Sequence, residues 1–316
     1  MKATDEPVKA PTPSQSGFLS NRESVEPVAS QAKAGRASEA GQAAAGETRQ
    51  HRSARAFIKR HAVLVFFTLV FTLSWGVGAG VQEAGGLTIL VGPPSITLAA
   101  ILVIALAFGR LGLRDLRSRL FRWRVGVRWY AVALLTAPVL WTAILGALSL
   151  TSEAFLPNII TAEDKASLLV AGLVVGLFAG FFEELGWTGF ATHEVSKRHG
   201  LLATGLIVGL PWFLLHLPLF AGTASGAVPQ ALAVAVTFFW VLAYRVLMVW
   251  VYGHTHSVLM AMLMHLPLDV GAFVLLDNPA MVGVPSLIVD LVFGATLWVL
   301  VAAVAAANRR ELSLVT

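Results

Sequence analysis

The chain has 316 residues, of which 56% are hydrophobic and only 13% are charged, and its mean hydropathy is +0.74. This composition is far more apolar than that of a soluble domain and indicates a polytopic membrane protein. The net charge of +5 does not indicate a nucleic-acid partner, because the bases stand beside the apolar segments, as membrane topology requires. Cysteine is absent, which excludes a disulfide framework, a thiol nucleophile and a thiolate metal site.

The chain begins with a segment rich in Ala, Ser, Gly, Gln and Pro that carries charges of both signs. Such a composition cannot bury enough apolar surface to offset the entropy lost on ordering. We therefore predict a disordered cytoplasmic tail at residues 1–56, an intramembrane domain at 57–308 and a cytoplasmic C-terminal tail at 309–316. The first apolar run begins near Ala62, which is too late for a signal peptide.

Eight segments are apolar over about 20 residues, the length that crosses a hydrocarbon core of about 30 Å. The predicted fold is all-α and polytopic, with about eight transmembrane helices and an intramembrane polar cavity. Prolines at 211, 218 and 267 predict kinks in the later helices. The predicted spans are residues 61–80, 87–109, 129–150, 167–188, 201–220, 230–251, 256–275 and 284–307.

Charge is distributed unevenly between the two sides of these spans. The bases of 49–60, 110–128, 197–198 and 309–310 share one side, whereas the other side is mostly acidic. The positive-inside rule therefore predicts that both termini are cytoplasmic, which requires an even number of spans. The Arg-rich loop 110–128 is either a topology signal alone or an amphipathic element on an anionic leaflet.

Adjacent glutamates, Glu183 and Glu184, lie deep in the fourth predicted span. Intramembrane acids mark functional sites by default, although two neutralised acids bonding to neighbouring helices are the alternative. Gly172, Gly176 and Gly180 recur every fourth residue, a pattern that lets transmembrane helices approach closely, and Glu184 continues that face. Glu183 is turned away by about 100°. We predict that Glu184 packs in the helix interface and that Glu183 faces a cavity.

Two isolated histidines, His216 and His265, occupy the fifth and seventh predicted spans. Either one alone could simply hydrogen-bond across a helix interface. Asp269 lies one helical turn beyond His265, where its carboxyl group can orient the imidazole or enter the same cavity. Arg245, near the inner end of the sixth span, could pair with an acid, but a snorkelling residue is the favoured interpretation.

Three segments carry a resemblance to a known family. FFEELGWTGF resembles the EExxxR motif of the CAAX protease and bacteriocin-processing family, which includes the type II CAAX prenyl endopeptidases. WFLLHLPLF resembles its Phe-x-x-x-His motif, with Trp212 or Phe213 as the aromatic residue. YRVLMVWVYGHTHSVLMAMLMHLPLD is similar to its His-x-x-x-Asn motif, with Asp269 in the Asn position. Motif order, spacing and the predicted layout agree from about residue 57 to 307.

The resemblance implies an intramembrane endopeptidase whose partners are membrane lipid and a peptide or protein substrate, lipidated or not. The catalytic candidates are Glu183, Glu184, His216, His265 and Asp269. Glu183 would activate water as general base and His216 would hold that water, while His265 and Asp269 would donate hydrogen bonds to the oxyanion. No cofactor is favoured, and zinc held by Glu183, His216 and His265 is the alternative.

Two departures from the family pattern favour a second interpretation. Thr188 stands where the motif has Arg, and Asp269 stands where it has Asn. Without a fixed cation beside the acids, the chain could be a weakened or inactive member that acts in immunity, sensing or as a scaffold. A third interpretation is a proton relay or a transporter, since intramembrane Glu and His residues also mark ion paths. The sequence has no detectable internal repeat, which counts against this interpretation. Straight spans also place Glu183 about 24 Å and His216 about 6 Å from the outer side, so that they would not meet.

Overall fold

The computed structural model describes residues 53–83, 91–220 and 228–307. In these ranges the regular elements are helices, with no strand, which confirms the predicted all-α class. Residues 1–52 of the predicted N-terminal tail and all of the predicted C-terminal tail at 309–316 lie outside the described residues, while 53–56 begin the first helix.

Eleven α-helices follow one another in the described residues. Two of them continue into a π-helix, Trp187–Thr192 after α6 and Ala272–Leu276 after α10. The helices are α1 Ser53–Arg60, α2 Ala62–Glu83, α3 Gly92–Leu120, α4 Val127–Ser149, α5 Asn158–Thr161, α6 Lys165–Gly186, α7 His193–Val195, α8 Leu201–Leu215, α9 Gln230–Thr255, α10 Val258–Gly271 and α11 Val284–Ala307.

The number of membrane-spanning helices differs from the prediction of about eight. Over the part of the chain that the structure describes, 6 helices are long and apolar enough to span, or up to 7 if α1 and α2, bent by 84°, are one span. The predicted span 201–220 accounts for one of the missing spans, and the predicted span 61–80, which is the bent pair, accounts for the other when that pair is not counted. Within 201–220, α8 has 15 residues, about 22 Å, which is short of a hydrocarbon core, and a 3-10 turn follows at Leu217–Phe220. The protein is thus a multi-pass membrane protein with one short internal helix.

Contacts between helix ends show which ends share a side. His193 Nδ1 lies 3.1 Å from the Tyr252 hydroxyl, and Ser257 Oγ donates to the Arg122 carbonyl at 2.6 Å. The end of α3, the end of α7 and the end of α9 therefore lie together, and we call this side the basic end. Because α9 is about 39 Å long, it begins on the opposite side of the membrane domain. The shorter α8 starts at the basic end and stops inside the bundle.

The predicted glycine stripe of α6 forms its contact with α10. A Cβ at Gly176 would lie 2.7 Å from the Leu266 carbonyl oxygen, and one at Gly180 would lie 3.2 Å from the Met262 carbonyl oxygen. A side chain at either position would force the two helices apart, so the glycines set their close approach. This packing brings the C-terminal half of α6 directly against the helix that carries His265.

A break in α3 separates its membrane part from its Arg-rich part. Gly109 has φ 64° and ψ −151°, a left-handed conformation that residues with a side chain rarely adopt. Residues 110–120 then continue as helix, with Leu116 and Arg119 buried and Arg114 exposed. The first part of the predicted loop 110–128 is therefore an amphipathic helix at the basic end.

Candidate active site

The paired glutamates stand at the point where α6 changes its helical form. Glu183 is 5% exposed and Glu184 is 0% exposed, and the π-helical segment begins three residues after Glu184. Such π segments often occur at functional sites, because the extra residue re-aims the neighbouring side chains. Thr97 of α3 donates a hydrogen bond to the Phe182 carbonyl, which ties the backbone beside the pair to the next helix.

Glu184 is fully engaged by its neighbours. Arg245 donates from Nη1 to Oε2 at 2.9 Å and from Nη2 to Oε1 at 3.0 Å. Thr188 Oγ1 donates to Oε2 at 2.5 Å, and His265 Nδ1 lies 2.8 Å from Oε1. Four contacts from three residues occupy both carboxylate oxygens, so Glu184 joins α6, α9 and α10, as its predicted place in the helix interface requires.

Arg245 does not snorkel, and the favoured sequence interpretation is wrong. Its side chain is 0% exposed and pairs with Glu184 through both terminal nitrogens. A guanidinium in hydrocarbon needs such a bidentate partner, because its charge has lost its water. The cation that the motif would place at position 188 therefore comes from α9, while Thr188 adds a hydroxyl to the same carboxylate.

Glu183 is held differently, by one oxygen only. Trp212 Nε1 donates to its Oε2 at 3.0 Å. Its Oε1 lies 4.0 Å from Nε2 of His216, which is too long for a direct hydrogen bond. A water molecule placed between these two atoms can contact both. Among the described residues, Oε1 of Glu183 thus has no direct hydrogen-bond partner, and the orientation of this side chain toward a cavity stays a prediction.

His216 presents a defined nitrogen toward Glu183. Its Nδ1 lies 2.7 Å from the Trp212 carbonyl oxygen, which can only accept, so Nδ1 carries the hydrogen. In the neutral ring, Nε2 is then the unprotonated atom. The His216 side chain is 34% exposed, the most open of the candidate groups.

The continuation of α6 through the π-helix to α7 resolves the mismatch in depth between Glu183 and His216. His216 follows the last residue of α8, about 22 Å along the helix from its start at the basic end. Glu183 lies 12 residues before Val195, about 18 Å from the same end. The two side chains meet because the helix that carries Glu183 continues to Val195, seven residues beyond the predicted end of its span at 188.

His265 and Asp269 form the third part of the site. His265 is buried, and its Nδ1 is committed to Glu184. Its Nε2 lies 3.4 Å from Oδ2 of Asp269, one turn further along α10. The Asp269 side chain is 24% exposed, so this pair faces the more open part of the site. The structure therefore brings all five predicted site residues together, while their catalytic roles stay predictions.

Trp212 links the separate parts of this arrangement. The Arg245 Cζ lies 4.0 Å from the centre of its ring, a cation–π contact. Its ring also meets His265 and His216 edge-on, with centroids 5.5 and 6.2 Å apart. Sequence reasoning gave this residue only as one of two aromatic candidates. Its position four residues before His216, which puts both on one helical face, is the signal that singles it out.

The donor groups do not converge as a metal site does. In the described parts of the chain, no group of three or more His, Cys, Asp or Glu residues could hold a metal ion. Of the zinc candidates, His265 turns Nδ1 to Glu184 and Nε2 to Asp269, and His216 turns only Nε2 toward Glu183. We therefore derive no step through a metal.

A comparison with protein families bears on the same segment. Residues 165–271 match the family described as Type II CAAX prenyl endopeptidase Rce1-like. This segment is similar to the CAAX protease family. The match covers less than half of the chain, but it contains all three motifs and all five site residues. A search of the curated proteins found no match.

Introducing the Arg of the family motif at position 188 tests whether Arg245 already supplies the cation to Glu184. We expect Thr188→Arg to lower stability by about 1–3 kcal/mol and to leave cleavage no higher, because Thr188 is buried and Arg245 already pairs with Glu184. Thermal unfolding in detergent measures the loss, with Thr188→Ser, which keeps the hydroxyl, as the matched control. A Thr188→Arg protein as stable as the wild type, or more active, would contradict the assignment of Arg245.

The role of the Trp212 indole N–H can be tested by replacing Trp212 with Phe, the residue of the family motif. We expect Trp212→Phe to lower kcat by about tenfold with little change in KM, because a buried carboxylate oxygen of Glu183 loses its donor. Trp240→Phe is the matched control, since its indole nitrogen has no partner among the described residues. Equal kcat values in both variants would show that Trp212 only fills space.

Proposed function

We propose that this protein is an active intramembrane endopeptidase of the CAAX type, in which Glu183 activates the attacking water. The observation that carries the proposal is the 4.0 Å separation between Glu183 Oε1 and His216 Nε2. The other oxygen of Glu183 and the other nitrogen of His216 are both committed to Trp212. The two free atoms thus face each other across the width of one water molecule.

The proposed reaction uses the two atoms that Trp212 does not bind, Oε1 of Glu183 and Nε2 of His216. Water between the two residues gives one proton to Oε1 of Glu183 as its oxygen attacks the carbonyl carbon of the peptide bond. His216 Nε2 accepts the second hydrogen of the water as a hydrogen bond and fixes its orientation. The proton taken by Glu183 then passes to the leaving nitrogen, and the carbon–nitrogen bond breaks.

His265 and Asp269 would stabilise the oxyanion. His265 donates from Nδ1 to Glu184, so its Nε2, which faces Asp269, carries a hydrogen only when the ring is protonated. A proton on Nε2 or on Oδ2 that turns from this pair to the oxyanion would stabilise its developing negative charge. Asp269 acts in this way only when it is protonated, which is where it differs from the family's Asn.

The substrate class follows from the matched family and the setting. A prenylated peptide or protein is the proposed substrate, since the family description is that of a CAAX prenyl endopeptidase. We also propose that the basic end is cytoplasmic, because the exposed arginines of 110–128 lie there. With α8 counted as part of a broken crossing, both termini are then cytoplasmic.

The alternative is an inactive family member with a scaffold or immunity role. Its support is Thr188 in place of the motif Arg and Asp269 in place of Asn. Arg245 offsets the first departure, because it supplies a bidentate cation to Glu184. A proteomic comparison of membranes that hold the wild type or Glu183→Gln separates the two functions. An enzyme predicts new peptide termini only with the wild type, and a scaffold predicts identical termini.

Metal dependence has its own expected result. We expect chelator treatment to leave peptide cleavage by the purified protein unchanged, with no stoichiometric zinc by elemental analysis, because Glu183 serves as the base. Activity that a chelator removes and zinc restores would overturn this and favour metal-activated water.

A further inference from the structure

A cavity lies at the basic end, outside the candidate active site. Its volume is about 430 Å³, and it is bounded by α1, by α3 around its break, and by the segment from the π-helix to the residues after α7. None of the five candidate catalytic residues lines it. The lining residues that matter below are Arg55, Lys59, Ala107, Phe108, Leu111 and Lys197.

The cavity holds more positive than negative side chains. Its two acids are already paired: Asp115 lies 2.9 Å from Arg119, and Glu194 lies 2.6 Å from Lys197. Arg55 and Lys59 form no ion pair within the described residues. Two cations on one wall repel each other, and a bound anion would offset that repulsion.

The backbone geometry aims these two cations into the cavity. Arg55 and Lys59 stand one turn apart on α1, which is bent by 84° from α2. The left-handed Gly109 interrupts α3 here, and Arg55 Nε donates to the Ala107 carbonyl at 3.4 Å. A guanidinium has five N–H donors, so this contact positions Arg55 and leaves donors for a ligand.

The cavity also has an apolar wall. Phe108 lies between the basic residues, with Lys59 Nζ 6.0 Å and Lys197 Nζ 5.8 Å from the centre of its ring. Leu111 is 74% exposed beside it. Cations next to exposed apolar side chains at a membrane surface suit an amphiphile better than a soluble anion.

We propose that this cavity binds one anionic phospholipid. Its phosphate lies against Arg55 and Lys59, and the start of its acyl chains lies on Phe108 and Leu111. Basic pockets between transmembrane helices are known sites for anionic headgroups. The proposed lipid binding does not depend on peptide cleavage, so a test of one proposal does not decide the other.

Native mass spectrometry of the full-length protein in detergent tests the site. Titration with phosphatidylglycerol should show one saturable adduct, and phosphatidylcholine should bind at least about tenfold more weakly. Arg55→Gln and Lys59→Gln should each weaken the phosphatidylglycerol adduct by about tenfold, as loss of a charge-assisted hydrogen bond does. The matched controls are Arg60→Gln and Arg114→Gln, two exposed bases that do not line the cavity and should keep the wild-type affinity.

Each remaining outcome overturns the proposal. Equal weakening in all four variants would mean that the bases attract anionic lipid only diffusely. Inorganic phosphate that displaces the lipid at similar concentration would mean a soluble-anion site with no role for the apolar wall. Because Arg55 and Lys59 are exposed, their variants should fold, and an unchanged melting temperature verifies this.

Discussion

Replacing Glu183 with Gln should lower peptide cleavage by about 100-fold or more and leave the fold intact. The amide has the size of the carboxylate and can still accept from Trp212, but it cannot take a proton from water. His216→Ala should produce a loss of similar size, since the water then keeps only one of its two partners. Initial rates on a prenylated peptide, with the purified proteins at equal concentration, measure both effects.

Asp290 provides the matched control for Glu183→Gln. It is an intramembrane acid in α11 that forms no ion pair with the residues of the site. Asp290→Asn also replaces an intramembrane carboxyl group with an amide, and this variant should retain wild-type cleavage. Wild-type rates in Glu183→Gln, or equal losses in both variants, would remove Glu183 from its role as base.

The second large effect concerns stability. Arg245→Met should destabilise the protein by about 3–5 kcal/mol, because Glu184 would be left as a buried charge without its cation. Thermal unfolding in detergent measures the loss. Arg114→Met, at an exposed base on α3, should unfold at the wild-type temperature.

A double variant separates the ion pair from simple loss of packing. Adding Glu184→Gln to Arg245→Met removes both charges and should recover part of the lost stability. If the double variant is less stable than Arg245→Met, the penalty comes from packing against Trp212 and not from the unpaired carboxylate. That result would contradict the account of Arg245 as the replacement for the family cation.

Features set by local helix geometry were predictable from the sequence. The step of about 100° between adjacent residues and the glycine stripe separated an interface glutamate from one that is turned away from that interface. In the structure Glu184 is bound by Arg245, Thr188 and His265, whereas one oxygen of Glu183 has no direct hydrogen-bond partner among the described residues. The spacing of His265 and Asp269 likewise put both on one face of α10, where their side chains lie 3.4 Å apart.

Features set by contacts between distant segments were not predictable in this way. Hydropathy measures how apolar a segment is and not where the chain turns, so residues 201–220 looked like a complete span although α8 ends at Leu215. Arg245 and Glu184 are separated by 61 positions, and their pairing depends on how α9 is rotated toward α6. A charged residue near a helix end satisfies the snorkelling pattern equally well, which is why that interpretation was favoured.

The source of the oxygen in the product tests the central claim most directly. In a single turnover in ¹⁸O-labelled water, with enzyme in excess over a prenylated peptide, water activated by Glu183 puts the label into the new carboxylate of the cleaved peptide and none into the protein. If Glu183 attacked the peptide bond itself, the amine would leave first, and water attacking the Glu183 carbon of the resulting anhydride would put the label into the Glu183 side chain and leave an unlabelled oxygen in the peptide carboxylate. We predict labelled peptide and unlabelled protein; the reverse distribution, or no cleavage at all, would contradict the account.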